Sequence, residues 1–222
     1  MASPLKPLEQ LVRIPVDQIP IEGLLALPAA PIGLVLFAHG SGSSRHSPRN
    51  NYVARVLHAR GVGSLLLDLL TPEEDQDYRT RFDIPLLTQR LRAATRWLGR
   101  QPLTQSLPLG YFGASTGAAA ALMAAAAPGQ AIRAVVSRGG RPDLAGPEAL
   151  ARVDCPTLLL VGSRDEEVLE LNRQAAAHMR CPHRLSVVPG ATHLFEEPGT
   201  LEAVARQAAD WFEQYLPPSA AA

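Results

Sequence analysis

The stretch LPLGYFGASTG, residues 107–117, decides the fold of this chain. Residues 107–113 form an apolar run typical of a buried strand, and residues 116–127 are an alanine-rich helix candidate. Between them, Gly113-Ala114-Ser115-Thr116-Gly117 matches G-x-S-x-G, a pattern that places a reactive serine on a sharp turn from strand to helix. The alternative is a helix that merely begins with Ser or Thr as its cap.

The turn from strand to helix constrains the backbone conformation of its residues. We expect a strained conformation at Ser115, and glycine at 113 and 117 because side chains there would collide with the neighbouring strand and helix.

Similar apolar runs recur on both sides of this stretch. The strand candidates are residues 32–38, 63–69, 132–137, 157–162 and 184–188, with less regular edge strands at 11–16 and 21–27. The helix candidates are 51–60, 116–127, 167–179, 200–216 and a helix capped by Asp83 that runs to about residue 97. This alternation predicts the α/β class, with a mostly parallel central sheet flanked by helices.

The length of 222 residues is compatible with a single domain over residues 1–222. Within it we expect an N-terminal extension or edge strand at residues 1–20 and a flexible tail at 217–222. The charged stretch 71–81 is interpreted as a surface excursion, too short for a large cap domain. Whether it moves over the site stays open.

Composition narrows the classes of function. Lys plus Arg equals Asp plus Glu at 21 each, so nothing indicates nucleic-acid binding, and a small-molecule substrate is favoured. No apolar run is long enough for a membrane span, and no signal peptide is evident. We therefore expect a cytoplasmic protein with free Cys155 and Cys181, as a monomer or small homo-oligomer. No residue spacing indicates a metal or a cofactor.

A serine nucleophile needs a base, and the base needs an acid to orient it. In this type of fold the acid follows the serine in the chain and the histidine comes last. Asp165 comes directly after the 157–162 strand, and His193 lies in a turn before the last helix. Asp165 could instead be only a helix N-cap, with Glu166, Glu167 and Asp143 as rival acids.

Backbone N–H groups must stabilise the negative charge that develops during acyl transfer. We expect one donor at Thr116 and the other in the loop His39-Gly40-Ser41-Gly42-Ser43-Ser44-Arg45, with Ser41 preferred over Gly42. We expect His39 to brace this loop by hydrogen bonds. A nucleotide-binding loop is disfavoured because the glycine spacing fits neither phosphate-binding pattern.

Several arginines are candidates for contact with the substrate. After the 132–137 strand, Arg138 or Arg141 could bind an acidic or carbonyl group, or instead form an internal ion pair with Asp143 or Glu148. Arg45 and Leu194 are further candidates for substrate contact.

Four motifs in order, HGSGSS (39–44), GASTG (113–117), VGSRDEEV (161–168) and PGATHLF (189–195), resemble the dienelactone hydrolase group of the α/β-hydrolases. The resemblance extends over residues 21–216 and implies an α/β-hydrolase fold with a serine–histidine–aspartate triad and no large cap. Dienelactone hydrolase itself has cysteine where this chain has Ser115, which favours general ester cleavage.

The predicted function is a serine carboxylic-ester hydrolase for short- or medium-chain or aryl esters. The alternatives are a thioesterase, a lactone or polyester hydrolase, or a non-catalytic binding protein that kept the fold.

Overall fold

The computed structural model describes residues 7–16, 19–129 and 131–217. The strands are β1 (Leu8–Ile14), β2 (Ile21–Leu27), β3 (Gly33–Ala38), β4 (Val62–Leu67), β5 (Leu109–Ala114), β6 (Ile132–Arg138), β7 (Thr157–Gly162) and β8 (His183–Val188). The helices are α1 (Pro48–Ala59), α2 (Ile84–Leu98), α3 (Thr116–Ala125), α4 (Pro147–Arg152), α5 (Glu166–His178) and α6 (Thr200–Tyr215).

The strands form one eight-stranded sheet in the order β1-β2-β4-β3-β5-β6-β7-β8. The pairs β1–β2 and β2–β4 are antiparallel, and the pairs from β4 through to β8 are parallel. The prediction of a mostly parallel sheet flanked by helices is confirmed. Because parallel strands end at the same edge, the loops after β3, β5, β6, β7 and β8 meet there.

Both faces of the sheet are covered, as its apolar strands predict. Along β3, Leu34 and Leu36 face a core that α2 and α3 share, whereas Val35 and Phe37 face a second core with α1 and α6. This alternation is the two-residue period of a strand. It explains why continuous apolar runs, not alternating ones, mark the central strands.

Each predicted strand and helix is present, and its bounds lie within three residues of the predicted ones. Strands β2 and β7 match the predicted ranges, and Asp83 caps α2 by accepting a hydrogen bond from the Leu86 N–H at 3.0 Å. Strand β1 begins and ends before the predicted 11–16 because it pairs in register with β2 from Leu8↔Leu27 to Ile14↔Ile21. The pairing with β2, and not the apolar pattern of β1 itself, sets the bounds of β1.

The excursion after β4 lies on the surface and is held by an arginine of α2. It contains two 3-10 turns at residues 74–76 and 80–82, and Tyr78 is 68% exposed. The buried Arg90 of α2 holds it by a two-pronged ion pair with Glu74 and by a hydrogen bond to the Leu69 carbonyl at 2.7 Å. Hydrogen bonding from Arg90 lowers the pKa of Glu74.

Two expectations on the termini lie partly outside the described residues. These are the extension at residues 1–20, of which 1–6 and 17–18 are not described, and the tail at 217–222, of which 218–222 are not. In the part of the chain that the structure describes, no helix has the length and apolar character needed to cross a bilayer.

Candidate active site

Ser115 lies in a strained turn between β5 and α3. Its φ of 50° and ψ of −123° belong to a region that residues other than glycine rarely adopt. A Cβ at Gly117 would lie 2.2 Å from the Ala38 carbonyl oxygen, and one at Gly113 would lie 2.4 Å from the Ala118 Cα. The expected strain and the need for both glycines are therefore confirmed.

Asp165 and His193 are in direct contact. The Asp165 Oδ2 lies 2.7 Å from the His193 Nδ1, and the aspartate side chain is mostly buried. Asp165 also occupies the N-cap position of α5, but its side chain makes no capping hydrogen bond. Its carboxylate is thus directed to the histidine. With the proton on Nδ1 and donated to Asp165, Nε2 keeps a lone pair that can accept another proton.

The loops that carry Asp165 and His193 are hydrogen-bonded to each other. The Gly190 N–H donates to the Ser163 Oγ at 2.8 Å, and the Arg164 N–H donates to the Ala191 carbonyl at 2.9 Å. These bonds join the segment after β7 to the segment after β8. They fix the distance between the aspartate and the histidine independently of the serine.

Two residues that the sequence analysis missed shape the histidine loop. Glu197 accepts hydrogen bonds from the Thr192 N–H at 3.1 Å and Oγ1 at 2.7 Å, and these bonds lower the pKa of its carboxyl group. Phe195 is buried with a φ of 56°. Phe195 ends the PGATHLF motif, but neither its positive φ nor the hydrogen bonds of Glu197 within its own loop could be predicted from the sequence, because both are evident only in three dimensions.

Ser115 and His193 line the same cavity of about 220 Å³. Predicted site residues that also line it are Ser41, Arg138 and Leu194. The other lining residues are Gly40, Ser43, Ser47, Arg49 and Ala114. The structure therefore brings five of the predicted side chains to one opening, with Asp165 behind the histidine.

The loop after β3 passes directly against the serine. A Cβ on Gly40 would lie 2.9 Å from the Ser115 Cβ, which places the next residue, Ser41, at the cavity. Gly42, the second candidate donor, does not line the cavity and instead lies beside the Arg81 guanidinium. Thr116 is buried at the first position of α3, where helix N–H groups lack partners within the helix.

His39 braces this loop from behind. Its Nδ1 lies 2.8 Å from the Gly40 carbonyl, and its Nε2 accepts a hydrogen bond from the Leu69 N–H at 2.9 Å. One ring nitrogen must therefore accept and the other donate, which requires the neutral ring. Burial lowers the pKa of His39, in agreement with that state. The expectation that His39 is a brace is confirmed.

The arginines have different positions. Arg141 forms a two-pronged pair with Asp143 at 2.8 and 2.9 Å, which is the internal ion pair foreseen as an alternative. Arg45 pairs with Glu22 and Asp68 and lines a separate cavity of about 540 Å³, so it does not line the Ser115 cavity. Its contact with substrate stays a prediction. Arg138 reaches the Ser115 cavity.

Arg49 is a cavity residue that the sequence analysis did not identify. It lies in the first turn of α1, after the N-cap Ser47 and Pro48. A Ser-Pro pair is a recognised signal for the start of a helix, and a start at residue 48 would have placed this side chain near the sheet edge.

Among the described residues, no group of three or more His, Cys, Asp or Glu side chains could hold a metal ion.

Residues 31–213 match the sequence model of a protein family that is described as an alpha/beta hydrolase domain. A crystal structure of dienelactone hydrolase from Anabaena variabilis is 54% identical, with a TM-score of 0.91, and the match covers 95% of this chain and 99% of that one. Est1E from Butyrivibrio proteoclasticus has a TM-score of 0.78 at 16% identity, over 92% and 98% of the two chains, and shares the fold.

A relative from Mycobacterium tuberculosis H37Rv, provisionally named a phosphoribosyl transferase, is 59% identical over 208 residues. The match covers 94% of this chain but only 47% of that protein. The chain thus spans about half the length of the curated relatives that it matches.

Proposed function

Because this chain belongs to the α/β-hydrolase family and is dienelactone hydrolase-like, we propose that it cleaves carboxylic esters through Ser115. The family and its neighbours support an ester hydrolase, and the role of the serine is our proposal. One observation carries it: the strained Ser115 and the Asp165-bonded His193 line one cavity. A serine displayed on such a turn beside an oriented histidine is suited to nucleophilic attack.

The proposed reaction has two steps. His193 accepts the proton of Ser115 as the serine oxygen attacks the ester carbonyl, and the backbone N–H groups of Ser41 and Thr116 stabilise the oxyanion. The alcohol takes the proton from His193 and leaves. Water then cleaves the acyl-enzyme by the same route and releases the acid. Asp165 holds His193 in the tautomer that both steps need.

Labelling with a fluorophosphonate probe tests the nucleophile directly. We expect the wild-type protein to be labelled on Ser115 and the Ser115→Ala variant to remain unlabelled. Ser106→Ala is the matched control, because Ser106 is an exposed serine outside the cavity and its loss should leave labelling intact. Absence of labelling in the wild-type protein would favour a non-catalytic binding protein.

We propose short- or medium-chain and aryl esters as substrates. The cavity of about 220 Å³ supports this because it is smaller than pockets for drug-sized ligands, which start at about 300 Å³. A series of nitrophenyl esters of increasing acyl length should show activity falling once the acyl chain outgrows the cavity. A matched acyl thioester separates the ester from the thioester alternative.

The transferase name of the Mycobacterium tuberculosis relatives does not change this proposal. We assign any transferase activity of those proteins to the part that this chain does not match. The glycine loop of this chain, at Gly40 and Gly42, lacks the spacing of a phosphate-binding loop, and Gly40 packs against Ser115. Labelling of Ser115 in this chain alone tests the assignment.

A further inference from the structure

Asn172 is a buried amide in the middle of α5, the helix that begins directly after Asp165. Its exposure is 0%, and its Nδ2 donates to the Gly140 carbonyl at 2.9 Å and to the Val168 carbonyl at 2.8 Å. Because both partners are carbonyl oxygens, only the amide nitrogen can bond to them. The bond to Val168 lies within α5, whereas the bond to Gly140 joins the helix to the loop after β6.

That loop, which we call the β6 turn (residues 138–141), is bonded to the backbone of Ser115 on both sides. The Ser115 N–H donates to the Arg138 carbonyl at 3.3 Å, and the Arg141 N–H donates to the Ser115 carbonyl at 3.1 Å. The β6 turn thus holds the residue whose φ is strained. A shift of this turn must therefore shift Ser115.

The β6 turn also packs against His193. A Cβ on Gly139 would lie 3.1 Å from the His193 carbonyl oxygen and 3.5 Å from the His193 Cε1. Gly139 has a φ of 49°, which favours glycine, and its N–H donates to the Leu160 carbonyl of β7 at 2.8 Å. The backbone of the turn therefore limits where the histidine can lie.

The position of Gly140 within the turn is set from two sides. A Cβ on Gly140 would lie 1.9 Å from the Ser137 Oγ and 2.6 Å from the Ala118 Cβ, so this residue is packed closely against β6 and α3. From the other side, Asn172 binds its carbonyl. Loss of the Asn172 amide would remove the contact that draws the turn towards α5.

The β6 turn connects parts of the site that other bonds leave separate. The bonds between the loops after β7 and β8 join the segments of Asp165 and His193, but these bonds do not involve Ser115. The β6 turn contacts both Ser115 and His193, and Asn172 ties it to the helix that follows Asp165.

We propose that Asn172 is a positioning residue for the reaction at Ser115. By holding the Gly140 carbonyl it fixes the β6 turn, and the turn sets the distance between the Ser115 and His193 side chains. The inference rests on the proposed function of Ser115. Asn172 acts through the turn and does not touch the substrate, since it is fully buried in α5.

The first test replaces Asn172 by leucine, which has a similar branched shape and cannot donate. We expect kcat on a nitrophenyl ester to fall by about 10- to 100-fold, because small misplacements of reacting groups are costly. KM should stay within about twofold, because the cavity lining is unchanged. Thr104→Val is the matched control: Thr104 is equally buried, donates to the Leu98 carbonyl at 2.7 Å, and lies before the start of β5. It should lose stability but keep kcat.

Nuclear magnetic resonance separates positioning from a general loss of structure. The proton on the His193 Nδ1 should resonate far downfield because Asp165 accepts it, and it should persist in Asn172→Leu. The nuclear Overhauser effect between the Gly139 Hα and the His193 Hε1 should weaken in the same variant, with or without activity, because the turn has moved.

A second variant moves the turn from its other side. Gly139→Ala should lower kcat in the same way, because its methyl group would press on the His193 carbonyl oxygen at 3.1 Å. Gly61→Ala is the control for this substitution, since Gly61 has a φ of 77° and its Cβ would have an ordinary contact at 3.7 Å. It should lose stability and keep kcat.

Two outcomes would overturn the inference. The first is a kcat in Asn172→Leu equal to that of Thr104→Val. The second is loss of the His193 Nδ1 resonance together with activity, which would mean that Asn172 supports the Asp165–His193 pair itself. If Ser115 is not labelled in the wild-type protein, the proposed function fails, while an unchanged Overhauser effect in Asn172→Leu would separately refute the role of Asn172.

Discussion

At the scale of single residues, the chemistry depends on which atoms His193 can use. Its Nδ1 is committed to Asp165 at 2.7 Å, so only Nε2 is available to the serine. These separate roles of the two ring nitrogens result from a short hydrogen bond between two loops that are also hydrogen-bonded to each other through other residues. In the proposed mechanism, the aspartate acts through the histidine and does not touch the substrate.

Replacing Asp165 by asparagine should disrupt this arrangement. The amide can donate to Nδ1 and favour the tautomer with the proton on Nε2, so we expect kcat to fall by about 10³- to 10⁴-fold. Glu166→Gln is the control, since Glu166 is exposed beside Asp165 and should be dispensable. Steady-state kinetics on a nitrophenyl ester would measure both. The reverse pattern would assign the acid to Glu166.

Replacing Ser115 by alanine should remove the nucleophile and lower kcat by about 10⁴-fold or more. The same nitrophenyl ester assay measures the loss. Retention of even a tenth of the activity would show that another group attacks the ester.

The residues that a motif defines could be predicted from the sequence, and those defined by spatial contact could not. Ser115 and His193 were identified because the chain order and the neighbouring strands of this fold constrain where they occur. Glu197 and Phe195 were missed because their roles depend on a bond within the histidine loop and on a positive φ, and Arg49 was missed because the predicted helix began at residue 51 and not at residue 48. Arg138 was left ambiguous, since only the structure shows which arginine Asp143 binds.

At the scale of elements, the turn from β5 to α3 depends on close packing around two glycines. Gly117→Ala would place a methyl group 2.2 Å from the Ala38 carbonyl oxygen, closer than contact allows. We expect a loss of about 3 kcal/mol in the free energy of unfolding, which corresponds to a fall of about 6–12 °C in Tm.

Gly99→Ala is the matched control for this prediction. Its Cβ would have ordinary contacts at 3.6 Å, and its φ is −65°. Thermal unfolding followed by circular dichroism distinguishes the two variants. Equal Tm values would mean that the turn can relax around a side chain at position 117.

The central elements could be predicted well because their apolar runs are set by burial on both faces of the sheet. The short elements could not be predicted from the sequence. Helix α4 has six residues, too few to be stable by itself, and it exists because Ala149 and Leu150 pack into the core. The start of β1 likewise depends on its pairing with β2.

At the scale of the whole molecule, stability should depend on pH through a buried neutral histidine. Burial lowers the pKa of His39 below its ordinary value of 6.5, so the unfolded chain binds a proton that the folded protein resists. Stability should therefore be full above pH 6.5 and decline as the pH falls below it, by at most about 1.4 kcal/mol per pH unit for this one group.

Denaturant titrations on either side of pH 6.5 would measure this dependence. In His39→Asn the decline should be shallower, whatever the absolute stability of the variant, because the titrating ring is gone. His58, whose pKa burial also lowers, contributes equally to both proteins. An unchanged pH dependence in His39→Asn would show that other groups control it.

The positive φ of Ser115 has a consequence for how this protein could be engineered or could evolve. Glycine would adopt the same angles without penalty and relieve about 1 kcal/mol or more of strain. Of two inactive variants, Ser115→Gly should thus melt at a higher temperature than Ser115→Ala. A screen that selected for heat resistance alone would favour glycine at position 115, and the more stable protein would lack the proposed nucleophile.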